Sequence, residues 1–165
     1  MIPISEFLLE DGVKTLSFKR IESRKAIQEI YDHDVIWDFL WEFIDSSDEV
    51  DVDDDGNVVY LKSEKNSMFA NDSENFWIGG YKGRNLCFLQ LVKMHSKDHM
   101  ELVIAQKKPT TKTENVFQQL VEYIVSEFPN IKYLSTYPMN PKLNEHYKSK
   151  GFYDWNGELR YDLVK

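Results

Sequence analysis

The residues best equipped for chemistry stand in the last third of the chain. Lys107, Lys108 and Lys112 share a short segment with three hydroxyls, Thr110, Thr111 and Thr113, and that segment runs into a helical pattern. Cations, hydroxyl donors and the positive end of a helix dipole together suit an anion such as a phosphate. The competing reading is a solvated loop in which a threonine caps the helix. His33, His95, His99 and His146 are scattered without the spacing of a metal site, and turn or surface roles suit them better. No Gly-x-Ser-x-Gly elbow prepares a nucleophilic serine. The run Asp51-Val-Asp53-Asp-Asp55-Gly56-Asn-Val58 matches the first eight positions of a calcium loop, but Lys62 stands at the twelfth, where a bidentate glutamate is needed. It is expected to be an acidic turn entering a strand, and no metal site is expected. The single cysteine, Cys87, excludes an internal disulfide framework and a cysteine-based zinc cluster. Its neighbours, Asn85-Leu-Cys-Phe-Leu-Gln-Leu, mark it as a buried strand residue.

At 165 residues and 42% hydrophobic, the chain has the size and apolar content of one domain with a substantial core. No run approaches the roughly 18 apolar residues that span a bilayer. Met1-Ile-Pro-Ile-Ser lacks a secretory pattern, so a soluble, cytoplasmic protein is expected. The net charge of -8 argues against non-specific binding to nucleic acid, which needs a basic surface. It is compatible with a cationic partner such as an amine.

Periodicity supplies the elements that must position these groups. Residues 15–19 read as a short strand and 22–31 as a helix with Ile27 and Ile30 on one side. A second helix starts near Asp34, where Val35, Ile36, Phe39, Leu40, Phe43 and Ile44 recur at helical spacing beside Trp37 and Trp41. Residues 58–61 read as a strand, and 76–81, 86–94 and 99–105 as three antiparallel strands joined by turns at 82–85 and 95–98. A helix over 114–128 buries Val116, Phe117, Leu120, Val121, Ile124 and Val125, and a strand follows over 131–136. Asn140 caps a further helix with Pro141 at its first position, Leu143 and Tyr147 share one face, and Gly151 ends it. A final hairpin over 152–164 turns at Asn156-Gly157. This order predicts a single α+β domain over 1–165, with a mixed, mostly antiparallel sheet flanked by helices. Strands 100–105 and 132–136 are expected to run parallel, joined by the 114–128 helix.

Asn140, Leu143, Tyr147, Gly151 and Phe152 fall on the offsets of a signature from the C-terminal half of the GCN5-related N-acetyltransferase (GNAT) superfamily, which this stretch resembles. Leu143 departs from it, since the family usually has alanine there. The resemblance covers residues 58–165 well and 15–45 loosely. It implies a GNAT-like, acyl-coenzyme A N-acyltransferase fold and transfer of an acetyl group from acetyl-coenzyme A to an amine of a small molecule or protein. On that resemblance, the backbone of Val103, Ile104 and Ala105 with Asn140 holds the pantetheine arm. Lys107, Lys108, Thr110, Thr111, Lys112 and Thr113 then hold the pyrophosphate. Tyr147 becomes the general acid and Glu101 the base or water-holder, while Trp37, Phe39, Trp41 and Phe43 border the acceptor cleft. Thr111 and Thr113 stand where the family's loop usually has glycines, and a β-branched residue resists the positive φ such a loop uses. Residues 31–40, the acidic stretch after them and Ile78-Gly-Gly-Tyr81 also look like phage-encoded acetyltransferase-like proteins, some of which are internal virion components with degenerate cofactor loops. A non-enzymatic structural or interaction module of the same fold is therefore the competing expectation.

Overall fold

The computed structural model describes residues 15–32, 50–61, 74–107, 115–138 and 141–163. The expected helix after Asp34 with its aromatic face, the Lys108 to Thr113 loop and Asn140 lie outside the described residues.

Strand β1 (Ser17–Ile21) leads into helix α1 (Ser23–Asp32), which buries Ala26, Ile27 and Ile30, residues at helical spacing on one face. Strands β2 (Val50–Val52) and β3 (Val58–Leu61) form a separate two-stranded hairpin. The acidic run is its turn: Asp53 Oδ1 accepts the backbone N–H groups of Asp55 at 3.0 Å and Asn57 at 2.9 Å, and Gly56 takes a φ of 84°. Gln28 of α1 pins this turn from outside. Its Nε2 donates to the Gly56 carbonyl at 2.8 Å, and its Oε1 accepts the Val58 N–H at 2.7 Å.

Strands β4 (Asn75–Lys82), β5 (Asn85–Ser96) and β6 (His99–Lys107) form the expected meander. Helix α2 (Val116–Glu127), strand β7 (Tyr133–Thr136), helix α3 (Pro141–Ser149) and strands β8 (Tyr153–Trp155) and β9 (Glu158–Asp162) complete the order. The seven-stranded sheet runs β1-β4-β5-β6-β7-β9-β8, and only β6 and β7 are parallel. This is a GNAT-like fold, a mixed and mostly antiparallel sheet flanked by helices. The Asn156-Gly157 turn has φ of 48° and 85°, the left-handed pair that a tight hairpin needs.

Each sheet face has its own core. On one, Phe88, Val92, Met100, Leu102, Leu134 and Leu159 pack against Leu120 and Ile124 of α2. On the other, Trp77, Leu89 and Leu91 pack against Ile27 and Ile30 of α1. Cys87 is buried, as its apolar setting implies. Among the described residues no helix is long and apolar enough to cross a membrane.

Helix α3 ends as its glycine predicts. The Phe152 N–H bonds to the Tyr147 carbonyl and the Gly151 N–H to that of Lys148, both at 3.1 Å, and Gly151 has a φ of 111°. A Cβ there would also lie 3.1 Å from the Tyr161 ring. Gly151→Ala is expected to cost about 1–2 kcal/mol, the usual penalty for forcing an L-residue into left-handed backbone. Urea unfolding at constant m-value measures it.

Candidate functional site

Strands β6 and β7 stay together for three residue pairs only: His99 with Tyr133, Met100 with Leu134, and Glu101 with Ser135. Beyond these β6 runs on to Lys107 while β7 ends at Thr136, so the sheet forks. A bulge lies at the same place. Val92 pairs with Leu102 and Leu91 with Ile104, which leaves Val103 as an extra residue in β6. The extra residue breaks the alternation of faces. Leu102 and Ala105 both pack on the α2 side, while Val103 packs on the α1 side. Two side chains serve carbonyls beside the fork and the bulge: Thr136 Oγ1 donates to Leu102 O at 3.0 Å, and Gln90 Nε2 to Leu91 O at 2.9 Å. An unpaired buried carbonyl costs about 1–3 kcal/mol, which is reason enough for polar residues in this core.

On the α2 side the fork meets a cavity of about 260 Å³ between the sheet, α2 and α3. Phe88, Leu102, Ala105, Phe117 and Leu120 supply its apolar walls, and Tyr147 its α3 wall. Gln90, Asn115, His146 and Lys150 are the polar residues of the lining. Asn115 occupies the cap position of α2 in left-handed conformation and makes no side-chain capping bond, so the cap is this asparagine and not a threonine. The positive end of the α2 dipole therefore borders the cavity without a capping oxygen from the cap residue. Tyr147 is half-buried. Its phenol is pushed above the ordinary value of 10.0 by burial, with the Thr136 hydroxyl pulling the other way.

The opposite face of the fork carries a different set. Glu101 and His99 alternate with Met100 and Leu102 and so point to the α1 side, as do Tyr133 and Ser135 of β7. Glu101 Oε1 lies 2.6 Å from His95 Nε2, and Ser135 Oγ lies 2.6 Å from His99 Nε2. The rings of His95 and His99 stack at 4.7 Å, and those of His99 and Tyr133 at 4.4 Å. Arg160 continues the column, 4.0 Å from the Tyr133 ring and 4.7 Å from that of Trp155. Neighbouring strands lie about 4.8 Å apart, so His99 and Tyr133, paired across β6 and β7, meet at stacking distance, while Arg160, paired with Ser135 and Tyr153, reaches Tyr133 and Trp155 diagonally. The expectation of turn and surface histidines thus needs correction for His99. It is half-buried and bonded, because β5 and β6 extend closer to the turn than their apolar pattern does. Burial, then the neighbouring His95, pushes the His99 imidazole below its ordinary value; Arg160 adds to this, while Glu158 and Glu101 oppose it.

Of the residues singled out in the sequence, Ala105 and Tyr147 meet at the cavity, and Glu101 lies at the fork on the other face. Val103 is the bulge, and Ile104 and Lys107 lie in β6. Thr136, Ser135, Gln90 and His99 were not anticipated. A signal existed for three of them: Gln90 interrupts an apolar run from Leu86 to Val92, and Ser135-Thr136 interrupt a strand that is otherwise core. Among the described residues no group of three or more His, Cys, Asp or Glu could hold a metal ion.

No protein-family model and no curated protein matches the sequence significantly. Solved structures do match in fold. An acetyltransferase from Thermus thermophilus shares 11% identity with a TM-score of 0.55, over 92% of this chain and 99% of that one. YhhK from E. coli, solved with coenzyme A bound, shares 14% with a TM-score of 0.58 over 90% and 98%. The PaiA N-acetyltransferase from Thermoplasma acidophilum, in complex with coenzyme A, shares 13% with a TM-score of 0.57 over 92% and 99%. At these identities the likeness establishes the fold.

The lowered His99 value has a consequence for stability. As pH falls, the unfolded chain protonates at this position first, so the contribution of His99 is complete above the ordinary value of 6.5 and is lost below it. Urea midpoints followed from about pH 7.5 to 5 should therefore decline, and His99→Gln should flatten part of that decline. An unchanged slope in the variant would contradict the assignment.

Proposed function

We propose that the protein is an acyl-coenzyme A-dependent N-acetyltransferase acting on an amine of a small molecule or protein. The observation that carries this reading is the fork: two parallel strands part beside a bulge, and the gap meets a cavity with apolar walls at a helix N-terminus whose cap residue makes no side-chain capping bond. Such a lining fits a ligand with a long, largely apolar arm and an anionic end. The coenzyme A bound in two proteins of this fold supports the same choice.

In this reading the backbone of Val103, Ile104 and Ala105, with Asn140, holds the pantetheine arm. Lys107, Lys108, Thr110, Thr111, Lys112 and Thr113, ahead of α2, hold the pyrophosphate. Bound acetyl-coenzyme A supplies a thioester whose carbonyl carbon an amine can attack. Tyr147, on the α2 side of the fork, gives its phenolic proton to the departing sulfur. Glu101, on the opposite side, takes the proton from the amine nitrogen directly or through a held water, and its contact with His95 fixes the carboxylate. Acid and base then work from different faces of one sheet, so the amine arrives on the side away from the leaving thiol.

Acetyl-coenzyme A should raise the melting temperature, because a ligand bound only by the folded state stabilises it by about 2.7 kcal/mol at 100 times its dissociation constant. No shift at millimolar ligand would move the weight to a non-enzymatic module of the same fold. Tyr147→Phe should lower turnover by about 10² to 10⁴ while coenzyme binding is preserved, since only the hydroxyl is lost. An acetylation assay over a panel of amines, run beside calorimetry of coenzyme binding, checks this; undiminished turnover would remove Tyr147 from the chemistry.

A further inference from the structure

The guanidinium of Arg160 is held by its faces. Its Cζ lies 4.0 Å from the centre of the Tyr133 ring and 4.7 Å from that of Trp155, on β7 and β8, the strands either side of its own. Two rings fix the plane of the group and leave its in-plane N–H donors to be met from the edge. Within the protein that edge is poorly met. Nε is covered and has no hydrogen-bond partner among the described residues, and Nη2 stands 4.0 Å from Glu158 Oε1, beyond hydrogen-bond reach. Glu158 is in the same state: its Oε2 is covered and without a partner, and its side chain is only 12% exposed. A covered guanidinium and a covered carboxylate that stand side by side without bonding are costly. Leu159 and Tyr161 pack on the α2 side, so Glu158 and Arg160, alternating with them, face the α1 side together with Glu101. Glu101 pairs with Ser135 and Ser135 with Arg160, so Glu101 and Arg160 stand in one row across β6, β7 and β9, about 10 Å apart at the backbone with the small Ser135 between them.

We propose that this row selects an α-amino acid with a large apolar side chain as the acceptor, its carboxylate on the edge of Arg160 and its amine between Glu158 and Glu101. The inference rests on Glu101 as the base of the reading above and names the amine that the reading leaves open. A guanidinium of fixed plane offers paired donors that match a carboxylate. An α-amino acid carries its ammonium one carbon from its carboxylate, much as Glu158 stands beside Arg160, so one small molecule answers both unbonded groups. Trp155, paired with Glu158 and 45% exposed, has ring surface left for the side chain. The chemistry is unchanged. The amine, its extra proton left to solvent, bonds through nitrogen to the acetyl carbon and gives a proton to Glu101, while the C–S bond breaks and the sulfur takes the proton of Tyr147. The product amide has lost the positive charge that Glu158 meets and keeps the carboxylate, so it binds less tightly than the substrate and leaves.

Calorimetry of the full chain compares L-phenylalanine with phenethylamine, which lacks the carboxylate, and 3-phenylpropionate, which lacks the amine, each with and without coenzyme A. L-Phenylalanine should bind about tenfold more tightly than either, the scale of one charge-assisted hydrogen bond. Arg160→Gln should bring it level with phenethylamine, and Glu158→Gln level with 3-phenylpropionate. Should Arg160→Gln fail to fold, Arg160→Lys keeps the charge without the flat edge and should lose most of the preference. Either one-charge compound binding as tightly as L-phenylalanine, or no binding of L-phenylalanine with or without coenzyme A, overturns the proposal. Acetylation is assayed separately. L-Phenylalanine bound with both preferences but never acetylated upholds the amino-acid site and overturns the transferase reading; phenethylamine acetylated while L-phenylalanine fails to bind keeps that reading and removes the amino-acid site.

Discussion

The structure depends on a break in backbone pairing. Parallel strands normally satisfy each other's N–H and C=O groups along their length, and β6 and β7 do so for three residue pairs before separating. Everything around the break follows from the need to satisfy what it frees. The bulge at Val103 turns β6 so that Leu102 and Ala105 line the same cavity. Gln90 and Thr136 lend side-chain donors to carbonyls that sit in an apolar core. A polar residue in such surroundings is costly unless bonded, and both are bonded. The opening in the sheet is therefore a specified feature, held by hydrogen bonds that would have no purpose in a continuous ladder.

Among the described helices, α3 has the least buried support. No residue of α3 is fully buried, and its exposed pair, Lys148 with Asp154 at 2.8 Å, contributes little in water. What seats the helix is its C-terminal turn and a ring cluster. Tyr147 packs on Phe152 with centroids 5.1 Å apart, and Phe152 on Tyr161 at 5.3 Å and Phe117 at 5.5 Å. Tyr147 is thus both a wall of the cavity and an anchor of the element that carries it. A change there touches packing together with the chemistry proposed for it, and only removal of the hydroxyl alone separates them.

Much of this was legible in the sequence, for identifiable reasons. Long strands with apolar patterning and short turns announced β4, β5 and β6. Pro141 at the first position and the Gly151 stop gave α3 its bounds, because helix ends are set by two or three residues. The parallel pair followed from a strand-helix-strand order. The fork was implied by the family resemblance, in which these strands splay apart, but did not show in the residue pattern. A bulge is a one-residue mismatch between partners, and no periodicity in β6 alone reveals that Val103 lacks a partner. The roles of Thr136 and Ser135 were hidden for a related reason: neighbouring residues on β7 serve opposite faces, and each takes its meaning from β6. His99 was misjudged because a histidine beside a turn looks exposed until the strand on its other side is known.

The last strand of the sheet in sequence is not its last in space. β9 lies between β7 and β8, so residues 158–162 insert into the interior of the sheet after both neighbours have been made. While the chain is being synthesised, β7 has a bare edge, and Thr136 lacks the strand that pairs with it at Leu159. The meander and α1 can assemble from contacts nearby in sequence, but β7 gains its second neighbour only when the final hairpin closes. The interior of the sheet is for that reason completed by its final strand, and a nascent chain stalled before residue 158 would leave one edge of β7 unpaired.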